Sequence, residues 1–238
     1  MASLINFFSP TNPIAALMYA TFGGILPALA WLWFWLQEDK LHPEPRRRIM
    51  LAFLGGMAII PLIYLPEKYV SIHFGEMTNA TLFFWSAIEE TAKLAVAWFI
   101  AFRSRDYDKP IDAIEYLITV ALGFSALENT LFILNPLLAG NIMQSFIVGN
   151  MRFAGASLLH VVSSATLGYF IGYGFYSSQT VKNVWRVVGL AVAIALHTAF
   201  NLSIMYSSGS RIFFVFGCVW VAAIGVLILF EKIKKVHN

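Results

Sequence analysis

Residues 80–102 read ATLFFWSAIEETAKLAVAWFIAF. The stretch is long and apolar enough to cross a bilayer, yet Glu89, Glu90 and Lys93 lie near its middle. An ionised residue at the centre of an inserted helix costs roughly 2.5–3.5 kcal/mol, and a Leu, Ile, Phe or Val returns roughly 0.3–0.6. The apolar residues here return about 3–5 kcal/mol together, whereas three ionised groups cost about 8–10. As a lone span the segment is poor. It needs partners inside a bundle or a changed protonation state, and intramembrane ionisable residues are candidate functional groups.

Working outward, 59% of the 238 residues are hydrophobic, 12% are charged and the mean hydropathy is +0.71. Soluble domains carry about twice that charge, so the chain reads as an all-α, polytopic membrane protein forming one domain over 1–238. The net charge of +3 needs no nucleic-acid partner, because the basic residues fall in short loops beside a lipid bilayer. A lone cysteine, Cys218, supports neither a disulfide framework nor a Cys-based metal site. The first apolar stretch has no basic residues before it and reads as a retained span, not a cleaved signal peptide.

Seven spans are expected, at about 14–36, 48–66, 80–102, 111–134, 153–176, 185–206 and 211–230. Residues 141–151 are expected to add a short helix that lies at the interface or dips into it. If the loop after the first span is cytoplasmic, twelve Lys and Arg lie inside and only Lys68, Arg152 and Arg211 outside. This positive-inside bias puts the N-terminus outside and the C-terminus inside. Trp31, Trp33 and Trp35 fall where an aromatic belt belongs. The loop QEDKLHPEPRRR reads as a solvated stop-transfer loop. Gly55-Gly56 and Gly168/Gly172 read as positions of close helix approach.

At about 1.5 Å per residue, Glu89 and Glu90 lie about 13–15 Å from the outer end of their span, Glu128 about 9 Å, His160 about 10 Å and His197 about 13 Å. Four consecutive helices therefore carry ionisable groups in one layer of the outer half of the membrane, as bundles do when they build a site from inward-facing side chains. Taken singly, these groups have plain structural readings. Lys93 is spaced to pair with either glutamate on its own helix. Glu128-Asn129 could bridge helices, and His160 could be a hydrogen-bonded packing residue. Yet one lysine neutralises one carboxylate, and the two glutamates are about 100° apart, which leaves the second for a cavity. His197 and Asn201 share a face at i,i+4. Asp112 and Glu115, at a helix start, read as capping groups.

Two histidines and up to three glutamates without cysteine suit zinc or another divalent ion in N/O coordination, with Glu128, His160 and His197 as candidate ligands. A water with a nearby carboxylate base is a hydrolytic arrangement. No HExxH is present. A proton-coupled transporter uses the same residue types, but shows an internal repeat, and none is evident here.

These residues resemble the motifs of the PrsW family of intramembrane proteases and, more distantly, the CAAX endopeptidase and bacteriocin-immunity superfamily. EPRRR at 44–48 is similar to the family's loop signature and Glu89-Glu90 with Lys93 to its EExxK motif. IDAIEY with GFSALEN at 123–129 resembles its fourth-helix motif, and His160 before GYFIGYG and HTAFN at 197–201 resemble the remaining two. IDAIEY lacks the glycine expected after its aspartate, and Glu128 stands where the CAAX branch has histidine. The resemblance implies peptide-bond hydrolysis in the membrane, on a membrane-protein or peptide substrate such as an anti-sigma factor. It further implies water activation by glutamate and oxyanion stabilisation by His197 and Asn201. On this reading Glu89 is the base, and Glu90 orients it or pairs with Lys93. Glu128, His160 and His197 hold a metal or the attacking water, with Asn129 in support. A metal-free glutamate mechanism and a non-catalytic scaffold of the same fold are the alternatives.

Overall fold

The computed structural model describes residues 12–40 and 42–236, and among them it contains helices and no strand. Helix α1 is Pro13–Trp35, α2 is Arg46–Phe74 and α3 is Asn79–Ala97, which runs on into a wide π-type turn at Trp98–Phe102. Helix α4 is Asp112–Leu138. Then α5, Ile142–Met151, passes through a second wide turn, Arg152–Ala156, into α6, Ser157–Tyr173. Helices α7 and α8 are Gln179–Met205 and Arg211–Ile233. Side chains start three of them: Asn12, Thr78 and Asn141 each accept a hydrogen bond from a first-turn N–H.

Among the described residues six rods are long and apolar enough to cross a membrane, counting 142–173 as one, and the chain is a multi-pass membrane protein. The remaining rod, α3, is the one whose three central charges spoil its apolarity. It survives because those charges are buried in the bundle. Helix α4 is the hub: residues 112–126 are all buried, and it packs against α1, α2, α3, α5 and α6. The outer helices turn large apolar side chains such as Leu62, Leu65, Ile72, Phe213 and Phe214 outward. A hydrocarbon surround accepts these without penalty.

Close approach is set by glycine. A Cβ on Gly123 of α4 would lie 1.9 Å from the Phe53 carbonyl oxygen of α2, and one on Gly56 would lie 2.1 Å from that of Val120. The two backbones therefore touch across a reciprocal glycine pair, the membrane form of small-residue packing. Gly168 and Gly172 of α6 meet backbone atoms of Ile114 and Pro110, as expected of packing positions.

Several sequence expectations are corrected. Residues 142–151 are not a separate interfacial helix but the first part of a rod continuous to Tyr173. Helix α2 runs eight residues past its expected end, to Phe74. Of the three tryptophans only Trp33 faces outward; Trp35 is buried and stacked on Phe230, and Trp31 packs against Phe153 and Trp220. The loop after α1 is not simply solvated. Glu44 is buried and accepts a hydrogen bond from the Tyr116 hydroxyl. Arg48 pairs with Asp106 at 2.8 Å and donates to the Ile100 carbonyl in the wide turn after α3. Burial holds the Asp39 carboxyl above the usual carboxylate range despite the pull of Lys109 and His42. The reading of the N-terminal flank concerns residues 1–11, outside those described.

Candidate active site

Helix α3 delivers Glu89, Glu90 and Lys93 to the bundle interior, where Glu90 and Lys93 are fully buried. Adjacent residues on a helix diverge by about 100°, and the two carboxylates consequently meet different surroundings. Glu90 is fully engaged. Its Oε1 accepts from Lys93 Nζ at 2.8 Å, from the N–H at Nδ1 of His197 at 2.8 Å and from Ser163 Oγ at 3.1 Å. Its Oε2 accepts from Ser164 Oγ at 3.4 Å. Glu89 instead lines a cavity of about 360 Å³. Its Oε2 is buried without a hydrogen-bond partner, 3.6 Å from Lys93 Nζ and 3.8 Å from His197 Nε2.

The hydrogen bonds fix both imidazoles. A carboxylate only accepts, so His197 carries its proton on Nδ1 toward Glu90. That leaves a lone pair on Nε2 directed to the side of Glu89 Oε2. Lys93 only donates, so His160 Nδ1 accepts from it at 2.8 Å, and the proton on Nε2 goes to Glu128 Oε2 at 3.0 Å. The two rings stand edge to face, centroids 5.0 Å apart. The Lys93 ammonium also lies 4.4 Å over the Phe124 ring.

Glu128 is held from the far side by Arg152, whose Nη2 is 2.5 Å from its Oε2. Arg152 Nε donates to Asn129 Oδ1 at 2.6 Å, and Asn129 Nδ2 donates to Ser125 and Ser157. The wide turn at Arg152–Ala156 begins at this arginine. Asn201, one turn from His197, lines the same cavity; its Nδ2 has only a long 3.4 Å contact to Ser86 Oγ.

The structure thus brings Glu89, Glu90, Lys93, Glu128, His160, His197 and Asn129 into one connected network, with Asn201 on the wall of the same cavity. It differs from the expected metal set by one residue. Single donor atoms of Glu89, His160 and His197 lie within 4.8 Å of one another, while Glu128 is taken up by Arg152 and His160. Sequence reasoning missed Arg152, counted only as an outside cation, and Ser163-Ser164, one turn beyond His160. The signal for the serines was their i+3 and i+4 spacing; nothing in the sequence marked the arginine.

The cluster fits a divalent cation. Three carboxylates against Lys93 and Arg152 leave one negative charge in excess with neutral imidazoles. Glu89 Oε2 makes no hydrogen bond and His197 Nε2 keeps its lone pair, and Glu90 on Nδ1 is the second carboxylate that commonly orients a ligating histidine. His160 is a third donor once it yields a hydrogen bond.

A multi-helix bundle that buries glutamate and imidazole groups from separate helices beside an open cavity has the layout of an intramembrane hydrolase. Residues 44–229 match the PrsW family of intramembrane metalloproteases, and the chain belongs to that family. It is 23% identical to protease PrsW of Bacillus subtilis over 180 residues, 75% of this chain and 79% of that one. It is 28% identical to protease PrsW of Geobacillus kaustophilus over 153 residues, 63% and 64% of the two chains. It is 24% identical to that of Clostridioides difficile over 188 residues, 76% and 77%. No solved structure matches. The protein is a protease acting on a protein substrate in the membrane.

Proposed function

We propose that Glu89 is the general base of an endopeptidase that cuts a membrane-protein substrate near the extracytoplasmic end of its span. The supporting observation is the contrast between neighbours: Glu90 is saturated with donors, while Glu89 lines the cavity and its Oε2 has no hydrogen bond, only the longer ionic contacts to Lys93 and His197. Glu89 accepts a proton from the attacking water, a role worth about 10²–10⁴-fold. Glu90 holds His197 in the tautomer that keeps Nε2 free and binds the Lys93 charge. Lys93 and Glu128 clamp His160 between them. Asn201 Nδ2 leaves its long contact to Ser86 and donates to the oxyanion. Glu89, His160 and His197 would hold the family's metal ion, zinc or a similar divalent cation, which when bound polarises the carbonyl and acidifies water. A carboxylate has two oxygens, so holding an ion and taking a proton do not exclude each other. The two partners already on His160 favour a second reading, a glutamate-driven hydrolysis without metal.

The Lys and Arg distribution supports a cytoplasmic C-terminus; on that orientation the site lies in the outer half of the membrane. Glu89 is ten residues from the start of α3, about 15 Å, and His197 eight from the end of α7, about 12 Å. A helical carbonyl is already bonded, so the substrate must unwind or end there. An anti-sigma factor with one span is the substrate type that the family resemblance suggests. The test is mass spectrometry of fragments from a single-span substrate cut in proteoliposomes. Cleavage is expected within about three turns of its extracytoplasmic end; a cut in the cytoplasmic half would overturn the reading.

A further inference from the structure

At the opposite, basic end of the bundle a second cavity of about 540 Å³ lies between α1 and α2. Leu29 and Trp33 of α1 and Met50 and Leu54 of α2 form its walls, and all four are exposed. Such residues lie where lipid chains would, so the cavity opens sideways to the bilayer. Two cations line it, Lys40 and Arg46, both exposed where the chain leaves α1 and enters α2. Two buried acids line it from within, Glu44 and Glu115.

The acids differ. Glu44 accepts from Tyr116 and lies 3.6 Å from Lys109 Nζ. Lys109 also lies within 4.0 Å of Asp39, Asp108 and Asp112, and Asp112 accepts two backbone N–H groups as well. Glu115 is 3% exposed, lies near Lys109 without a salt bridge to it, and its Oε2 is buried with no hydrogen-bond partner. A helix start favours an acid, but a buried carboxylate without a partner is costly. The cavity therefore presents an unmatched acid inside, cations at the mouth and apolar walls facing lipid.

We propose that this cavity binds the head group of a phospholipid carrying a primary ammonium. The ammonium meets Glu115 and supplies the missing donor. The phosphate sits between Lys40 and Arg46, and the acyl chains run along the α1 and α2 walls. Charge order selects the ligand: a glycerol head group has no cation for Glu115, and a trimethylated one has no N–H to donate. The site is independent of the proteolytic reading. Glu128 is thirteen residues further along α4, about 20 Å away.

Native mass spectrometry of the purified full chain tests this. The probes are phosphatidylethanolamine, phosphatidylcholine and phosphatidylglycerol with identical chains. A charge-assisted partner for a buried acid predicts retention of phosphatidylethanolamine about tenfold over the other two. Glu115→Gln is expected to abolish that preference. Equal retention of the three lipids by the unmodified protein, or an undiminished preference in Glu115→Gln, would overturn the proposal. Should Glu115→Gln not fold, the exposed pair Lys40→Gln/Arg46→Gln serves: weaker phosphatidylethanolamine retention is expected, and unchanged retention overturns the phosphate contact.

Discussion

Replacing Glu89 by Gln is expected to lower kcat/KM by about 10³-fold or more while leaving the thermal midpoint of the chelator-treated, ion-free protein unchanged or raised. Both halves follow from the same geometry. The carboxylate is buried with an oxygen that no protein donor satisfies, 3.8 Å from a histidine nitrogen that carries a lone pair. That arrangement costs stability and is kept where chemistry uses it, so neutralising it removes function and relieves strain together. A peptide-cleavage assay beside a thermal melt in the same detergent reads both. An active Glu89→Gln, or one that melts well below the unmodified protein, would remove Glu89 from the role of base.

The next residue should behave in the opposite way. Glu90→Gln is expected to cost about 3–5 kcal/mol of stability, because the buried Lys93 ammonium loses its close carboxylate partner. His197 loses its anchor in the same step, so activity falls too. Replacing both members, Glu90→Gln with Lys93→Met, is expected to recover much of the melting temperature and none of the activity. Removing an ion pair entirely is gentler than orphaning one charge. Equal thermal behaviour of the Glu89 and Glu90 variants would contradict the division of labour between them.

That division was only half legible in the sequence. Apolar runs and charged loops gave the spans, and the charge cost of residues 80–102 pointed to a buried cluster. Depth counting brought Glu89, Glu128, His160 and His197 to one layer. Depth says nothing about rotation. Arg152 engages Glu128 and not Glu89, and it stands at the start of the wide turn Arg152–Ala156, which breaks the helical period that a rotation estimate needs. The same turn fuses 142–151 to the next helix and hid that continuity. The hub role of α4 was also obscured, because a helix apolar on every side reads from sequence like any lipid-facing span. Glu115 looked like an ordinary helix-start acid until its surroundings showed no donor for Oε2.

Everything about the chemistry rests on Glu89 and His197, from separate helices, facing one shared position. Elemental analysis of the purified protein and three variants tests this most directly. Unmodified protein is expected to carry about one equivalent of a divalent ion, as three N/O donors support. The ion should be lost from Glu89→Gln and His197→Ala and kept in Glu128→Gln, whose carboxylate serves Arg152 and His160 instead. An ion retained by Glu89→Gln but lost from Glu128→Gln would contradict that arrangement.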